Sequence, residues 1–303
     1  MSADKVYLGI DGGGSKTAYL LENAAGKKLA FLSGEGISWR EGGVSTVFSR
    51  LRDAFGQILC GYEMTEISLC AGVPCYGENA EMDAAISAGF SELLPGSRQI
   101  IVNDAVLSWA GALKGKPGVS VVAGTGSLAY GRNAAGEEAR CGGWSEHFSD
   151  EGSGYWLGLH AINLYTRQAD GRVPQGALLR IFQETMGVSA DEDFVVKIET
   201  EYMPSRKRIA SLQRVLLQAA QQGDISAIKL YEAAARELAE MALTAAHKLA
   251  LPAGFSVSCT GGLLNAGSLL TDPFAEIVRA GGGIYVPPAA TPVEGAILLA
   301  KER

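Results

Sequence analysis

The chain opens on two apolar runs separated by "GIDGGGSKT" (9–17), and the second closes on an Asn-x-x-Gly turn, Asn23 to Gly26, before a third run. This pattern predicts three strands joined by a glycine and hydroxyl loop and then by a turn. "STVFSRLRDAFGQIL" (45–59) carries Val47, Leu51, Phe55 and Leu59 at helical spacing, with Ser45 placed to cap the helix. "EISLCAG" (66–72) reads as a strand and "AEMDAAISAGF" (80–90) as a helix. "RQIIVND" (98–104) reads as a buried strand ending on a carboxylate, ahead of the helical pattern "AVLSWAGAL". The predicted order is βββαβαβ.

The opening pattern then recurs. "NAAG" at Asn133 to Gly136 repeats "NAAG" at Asn23 to Gly26 with a constant offset of 110 residues, and the same offset lays Gly14-Ser15-Lys16-Thr17 on Gly124-Thr125-Gly126-Ser127. Asn and Gly are what turns select in any case, but the matching loops in front of them argue for an internal duplication. After the second copy comes a mostly helical stretch, clearest in "SAIKLYEAAARELAEMALTAAHKLA" (226–250). A strand at "FSVSCTGGL" (255–263), a helix near "PFAEIVRA", a strand "GIYVPP" and a last helix "VEGAILLAKE" follow. The fold class expected is α/β, built as two duplicated mixed lobes facing each other across a cleft. Their bounds fall at 1–112 and 113–290, with a C-terminal helix at about 291–303.

Composition narrows the function. At 303 residues, 47% hydrophobic and 19% charged, the chain is long enough for two lobes that each bury a core. A net charge of −7 offers no global attraction to nucleic acid or to an anionic membrane, so any phosphate binding must be local. No basic head precedes a long apolar core, and no later apolar run is long enough to span a bilayer, so a cytoplasmic protein is expected. The five cysteines are odd in number and form no CxxC pair, which predicts reduced, buried thiols rather than a zinc or redox site.

The glycine loops have two readings. Gly12, Gly13 and Gly14 let the chain reverse at little steric cost. Bare backbone also crowds its N–H groups around a phosphate, while Asp11 deals with the accompanying metal. "GTGSLA" (124–129) imitates a dinucleotide fingerprint and "GGGSKT" the tail of a P-loop, but both of those motifs require a helix next and here a strand follows. Phosphate would instead sit between two hairpin loops.

"GIDGGGSKT" (9–17), "VNDA" (102–105), "AGTGS" (123–127), "CGGWSEHFSDEGSGYWLG" (141–158), "CTGGLLN" (259–265) and "TPVEGAILLA" (291–300) together resemble the sugar-kinase branch of the actin-like ATPase superfamily. The closest group is that of N-acetylglucosamine kinases and BadF/BadG/BcrA/BcrD-type ATPases, and "GGW…DEGSG" is the most specific segment. The resemblance implies two ribonuclease-H-like lobes, ATP and Mg²⁺ in the interdomain cleft, closure on a hydroxyl-bearing substrate, and a last helix that crosses back to the first lobe.

Residue by residue, the resemblance matches Asp104 to the catalytic base, although an N-cap is a good reading too and both can hold. Asp11 would hold Mg²⁺. The backbone of Gly12, Gly13, Gly14, Ser15, Lys16 and Thr17 would receive phosphate oxygens, as would that of Gly124, Thr125, Gly126 and Ser127. Gly261 and Gly262 resemble the segment beneath adenosine, and a plain strand-to-helix turn fits them equally. Asp150 with Gly143 and Trp144 resembles the sugar contact. The bland alternative there is a loop capped by Asp150 or Ser153, with Trp144 in the core. His147 reads as a loop histidine, having no partner at ligand spacing.

Two positions depart from the group. Trp39 stands where a sugar-contacting Asn is usual, and Ser145 replaces a glycine in what is usually GGWG. Both touch the sugar pocket rather than the ATP site. The expectation is an ATP-dependent kinase of an amino sugar such as N-acetylglucosamine or glucosamine, with Mg²⁺, no nucleic-acid or membrane partner, and self-association into a homodimer left open. The alternatives are an activator of the 2-hydroxyacyl-CoA dehydratase or benzoyl-CoA reductase type, for which Cys141 is the sole cysteine near the second phosphate loop, and a non-catalytic sugar sensor.

Overall fold

The computed structural model describes residues 5–188 and 191–302. The chain divides into two compact units, Met1–Pro117 with Pro287–Arg303, and Gly118–Val286. The first unit holds β1 (Val6–Gly12), β2 (Lys16–Asn23), β3 (Lys28–Glu35), α1 (Gly43–Ile58), β4 (Ile67–Val73), α2 (Ala80–Leu93), β5 (Arg98–Asn103) and α3 (Asp104–Leu113). The second holds β6 (Gly118–Ala123), β7 (Ser127–Arg132), β8 (Glu138–Gly142), α4 (Gly154–Ala169), α5 (Ala177–Met186), α6 (Asp191–Lys197), α7 (Arg206–Ser211), α8 (Gln213–Gln221), α9 (Ile225–Lys248), β9 (Phe255–Thr260), α10 (Ser268–Ala280) and β10 (Gly283–Tyr285). The chain ends in α11 (Pro292–Lys301), which belongs to the first unit.

The duplication read from the sequence is present in the sheets. The first runs β3-β2-β1-β4-β5 and the second β8-β7-β6-β9-β10, the same order in both. In each, the first three strands are antiparallel neighbours and the last two run parallel to the first. The two matched turns use the same chemistry. Asn23 Oδ1 accepts the N–H groups of Ala25 and Lys27 at 3.1 and 2.9 Å, and Asn133 Oδ1 accepts those of Ala135 and Glu137, both at 3.0 Å. A side-chain oxygen that satisfies two turn amides is the reason Asn leads both hairpins.

In the first unit, Leu8, Ile10 and Leu69 of the sheet pack with Val47, Leu51 and Phe55 of α1 and with Ile86 and Phe90 of α2. All seven residues of β4 are buried, as expected of a central parallel strand covered on both faces. α11 supplies Val293 and Ile297 against Leu20. It lies so close to α3 that a Cβ on Gly295 would collide with the Gly111 backbone. The second unit buries Val119, Val121 and Val257 of its sheet against Leu157, Tyr165, Tyr231 and Leu238 of its helices.

Two expectations need correction. α1 starts at Gly43 with Gly42 as its cap, so Ser45 lies inside the helix; the tight turn at Trp39–Glu41 delivers the chain to the helix early. All five cysteines are free, but only Cys70 and Cys259 are buried; Cys60 is exposed and Cys75 and Cys141 are half-buried, because they lie at segment ends rather than mid-strand. Among the described residues, no helix is long and apolar enough to cross a membrane.

Candidate functional site

In the first unit the site residues gather at the C-terminal ends of β1, β4 and β5, where an open α/β sheet offers its loops. β1 ends on Asp11 and Gly12, and the Gly13 N–H donates to Lys16 O at 3.0 Å, closing the hairpin so that Gly14 and Ser15 form its tip. Behind that tip the Ile37 N–H donates to Gly13 O at 3.0 Å. Gly36 lies so near Gly14 O that a Cβ there would collide with it, and Arg50 of α1 donates to Gly36 O. The first glycine loop is therefore backed by the segment after β3, and sequence reasoning did not single out Gly36. Glu41 also approaches, its Oε1 being 3.1 Å from where a Cβ on Gly14 would stand. The side chain of Thr17 serves the sheet, whatever its backbone does. It is fully buried, and its hydroxyl donates to Glu35 O at 2.7 Å, tying β2 to β3.

Asp104 is the first residue of α3, and the cap is its neighbour: Asn103 Oδ1 accepts the Ala105 N–H at 3.1 Å, while Asn103 Nδ2 donates to Tyr76 O at 3.1 Å. The capping alternative for Asp104 thus passes to Asn103. The registers Asp11↔Gly72 and Gly72↔Val102 set Gly72 of β4 between the ends of β1 and β5. A Cβ on Gly72 would lie 2.5 Å from Leu107 Cδ1 and 3.1 Å from Asp104 Cα. Its missing side chain lets α3 sit down on the sheet and brings Asp104 toward Asp11. Burial first, and the Asp104 carboxylate second, push the Asp11 carboxyl up to about 7, against a pull downward from Lys16.

These acids offer hard oxygen donors, and among the described residues no group of three or more His, Cys, Asp or Glu side chains is placed to hold a metal ion. That donor set fits Mg²⁺, which takes one or two carboxylates and fills its other positions with water and substrate phosphate. Trp39 lies half-buried against the core of this unit, with the Arg40 guanidinium 5.3 Å from its ring centroid and Arg40 paired to Glu78 at 3.0 Å.

In the second unit the glycine loop is closed by the Gly124 N–H donating to Gly126 O at 2.9 Å. The start of α4 grips it from behind, where the N–H groups of Gly154 and Tyr155 donate to Gly124 O and Thr125 O at 2.8 and 3.0 Å. Ser153 caps α4, accepting the Trp156 N–H at 3.2 Å, so of the two expected caps Ser153 is the one used. Ser127 is buried; its hydroxyl donates to Glu151 O at 2.6 Å, and its N–H donates to Asp150 Oδ1 at 3.3 Å. Gly261, at φ 107°, presses so closely on Ala123 that a Cβ would collide with its carbonyl, which brings the end of β9 beside the loop. Gly262 opens a short turn, Gly262–Ala266, rather than a helix directly.

Asp150, expected as a sugar contact, sits against the second glycine loop. It is buried, in left-handed backbone at φ 61°, with Oδ1 on Ser127 and Oδ2 in an ion pair with Arg206 of α7. Burial pushes its carboxyl above the usual range while Arg206 pulls it down. Arg206, which no motif flagged, also stands 3.7 Å from Glu146. Gly143 takes φ 68° and its carbonyl accepts from Arg140. Trp144 is 77% exposed and Phe148 75%, so the core alternative for Trp144 fails. His147 is an exposed loop residue.

A family model described as the BadF/BadG/BcrA/BcrD ATPase family matches residues 8–300. The chain is 31% identical over 281 residues to the N-acetylmuramic acid/N-acetylglucosamine kinase of Clostridium acetobutylicum, covering 91% of this chain and 90% of that protein. It is 26% identical over 283 residues to the N-acetyl-D-glucosamine kinase of Dictyostelium discoideum, covering 88% of each. Among solved structures, a Chromobacterium violaceum protein provisionally named N-acetylglucosamine kinase superposes with a TM-score of 0.78 at 26% identity, covering 99% of this chain and 100% of that one.

Proposed function

We propose that this chain, which belongs to the BadF/BadG/BcrA/BcrD ATPase family, is an ATP-dependent kinase of an amino sugar such as N-acetylglucosamine or glucosamine. The observation that carries the reading is the carboxylate pair Asp11 and Asp104 at the strand ends of the first unit, with Asp11 raised to about 7 by burial and by its partner. Two acids so disposed suit one cation and one proton acceptor, the two requirements of phosphoryl transfer to a hydroxyl. The substrate class rests on the names of the Clostridium and Dictyostelium relatives.

Asp104 accepts the proton of the attacking sugar hydroxyl. As that oxygen bonds to the terminal phosphorus, the bond from phosphorus to the bridging oxygen of ADP breaks and ADP leaves with the electron pair. The tips of the two loops, Gly14 with Ser15 and Thr125 with Gly126, offer backbone N–H groups to phosphate oxygens, those of Gly13, Gly124 and Ser127 being spent on Lys16 O, Gly126 O and Asp150 Oδ1, and Gly261 with Gly262 lies under adenosine. Mg²⁺, held by Asp11, would neutralise charge on those phosphates when bound. Gly143, Trp144 and Trp39 face the sugar. An ionised carboxylate has about four acceptor sites, and Asp150 has committed two, which leaves acceptor capacity for a sugar hydroxyl with the Arg206 pair intact.

Coupled ADP release with Mg-ATP, screened over glucosamine, N-acetylglucosamine, N-acetylmuramic acid, N-acetylmannosamine and glucose, tests the reading. Turnover that depends on one of the amino sugars is expected. Equal ADP release with and without every sugar would replace the kinase by an ATPase.

A further inference from the structure

We infer that Arg206 is a nucleotide-phosphate ligand supplied to the second glycine loop by α7, a site residue that neither the sequence motifs nor the comparisons single out. The inference rests on the kinase reading, since it takes loop 124–127 as a phosphate cradle.

Three observations converge on it. First, the guanidinium lies directly on the loop: a Cβ on Gly126 would stand 2.5 Å from Arg206 Nη2 and 2.7 Å from Asp150 Oδ2. The space a side chain would take at Gly126 is occupied by a cation. Second, that cation has donors to spare. Nη2 serves Asp150 and Nε faces Glu146 at 3.7 Å, beyond hydrogen-bond distance, while a guanidinium carries five N–H groups in a fixed fork suited to phosphate. The Arg206 side chain is 43% exposed although its partner Asp150 is buried, so the arginine is not sealed beneath the loop. Third, the anchor is rigid. Asp150 Oδ1 accepts the Ser127 N–H of the same loop at 3.3 Å, so one carboxylate fixes both the loop backbone and the arginine beside it.

A purely structural arginine would explain the ion pair and the bare Gly126 position, but not why the paired cation keeps unspent donors and solvent exposure beside the loop. Phosphate arriving at the tip of the loop, Thr125 and Gly126, meets a guanidinium already held in place, and binding costs little reorganisation.

Calorimetric titration of ATP into the wild-type protein, Arg206→Gln, Asp150→Asn and the double variant Arg206→Gln/Asp150→Asn tests this. Arg206→Gln should weaken ATP by about tenfold or more. The double variant separates the roles, because it removes the unpaired buried carboxylate that Arg206→Gln leaves behind, while the substituted amide still offers an oxygen to the Ser127 N–H. If Arg206 touches phosphate, the double variant stays about tenfold weak even though its melting temperature recovers. Recovery of wild-type ATP affinity in the double variant, or undiminished affinity in Arg206→Gln, would overturn the inference and leave Arg206 a counter-ion for Asp150 alone. Failure of the wild-type protein to bind ATP at millimolar concentration would instead sink the kinase reading itself.

Discussion

Asp104 raises the proton affinity of Asp11: its carboxylate, second only to burial, holds the Asp11 carboxyl at about 7, and the two stand on either side of the bare Gly72 position. A raised carboxyl means that the folded state binds a proton more tightly than the unfolded state, where an aspartate titrates near 4. Its stabilisation is complete below about pH 4 and is lost as pH rises through about 7, a change on the order of 4 kcal/mol. The difference in unfolding free energy between the wild-type protein and Asp11→Asn, measured by urea titration from pH 4 to 8, should therefore shift against the wild type across that window. Mg²⁺ should reverse the shift above pH 7, and a flat difference would refute the proton linkage.

On the proposed reading, capping and proton acceptance fall to two neighbouring residues, Asn103 and Asp104. Asn103 makes the cap of α3, so Asn103→Ala should cost about 1 kcal/mol and lower the melting temperature. Asp104→Asn should leave the melting temperature nearly unchanged and lower kcat on the order of 10²-fold, with little effect on sugar affinity. Steady-state kinetics and thermal melts on the two variants check this, and a fall in melting temperature for Asp104→Asn matching that of Asn103→Ala would return the residue to a structural role.

Gly36 backs the first glycine loop at a distance that no side chain fits. In Gly36→Ala the new methyl meets the Gly14 carbonyl, which is backbone and held in the closed hairpin, so the loop must move. A loss of about 1–3 kcal/mol is expected, together with a raised KM for ATP at unchanged sugar affinity. Unaltered ATP kinetics would show that loop 12–16 does not hold phosphate.

The repeat in strand order is legible in the sequence because Asn-led turns and apolar runs are local signals, and each needs only its own residues to form. The supports of the two loops are not, because they come from far along the chain. Gly36 and Gly72 matter through what their missing side chains would strike, and Arg206 lies 80 residues after Gly126 in sequence. "DEGSG" stands out as dense in chemistry, but its residues do not announce their partners. Only the folded chain reveals that Asp150 turns inward to Ser127 and Arg206 while the start of α4 grips the loop carbonyls. The same holds for Asn103 and Asp104, where the choice of cap depends on one residue of strand length.

Trp144 offers the cleanest separation of binding from stability. At 77% exposure it buries little apolar surface, so Trp144→Ala should change unfolding free energy by no more than about 0.5 kcal/mol. An exposed indole on a left-handed glycine that Arg140 braces is otherwise unexplained by packing. If its face covers the C–H surface of the sugar, its loss removes about 1–2 kcal/mol of binding, a rise in sugar KM of roughly tenfold, with the KM for ATP unmoved. Phe148→Ala serves as the control, since Phe148 is about equally exposed in the same segment but is not among the expected sugar contacts. A rise in sugar KM for Trp144→Ala alone supports the contact. Equal effects from both variants would point to a general loosening of the 144–149 segment, and no effect from either would remove Trp144 from the site.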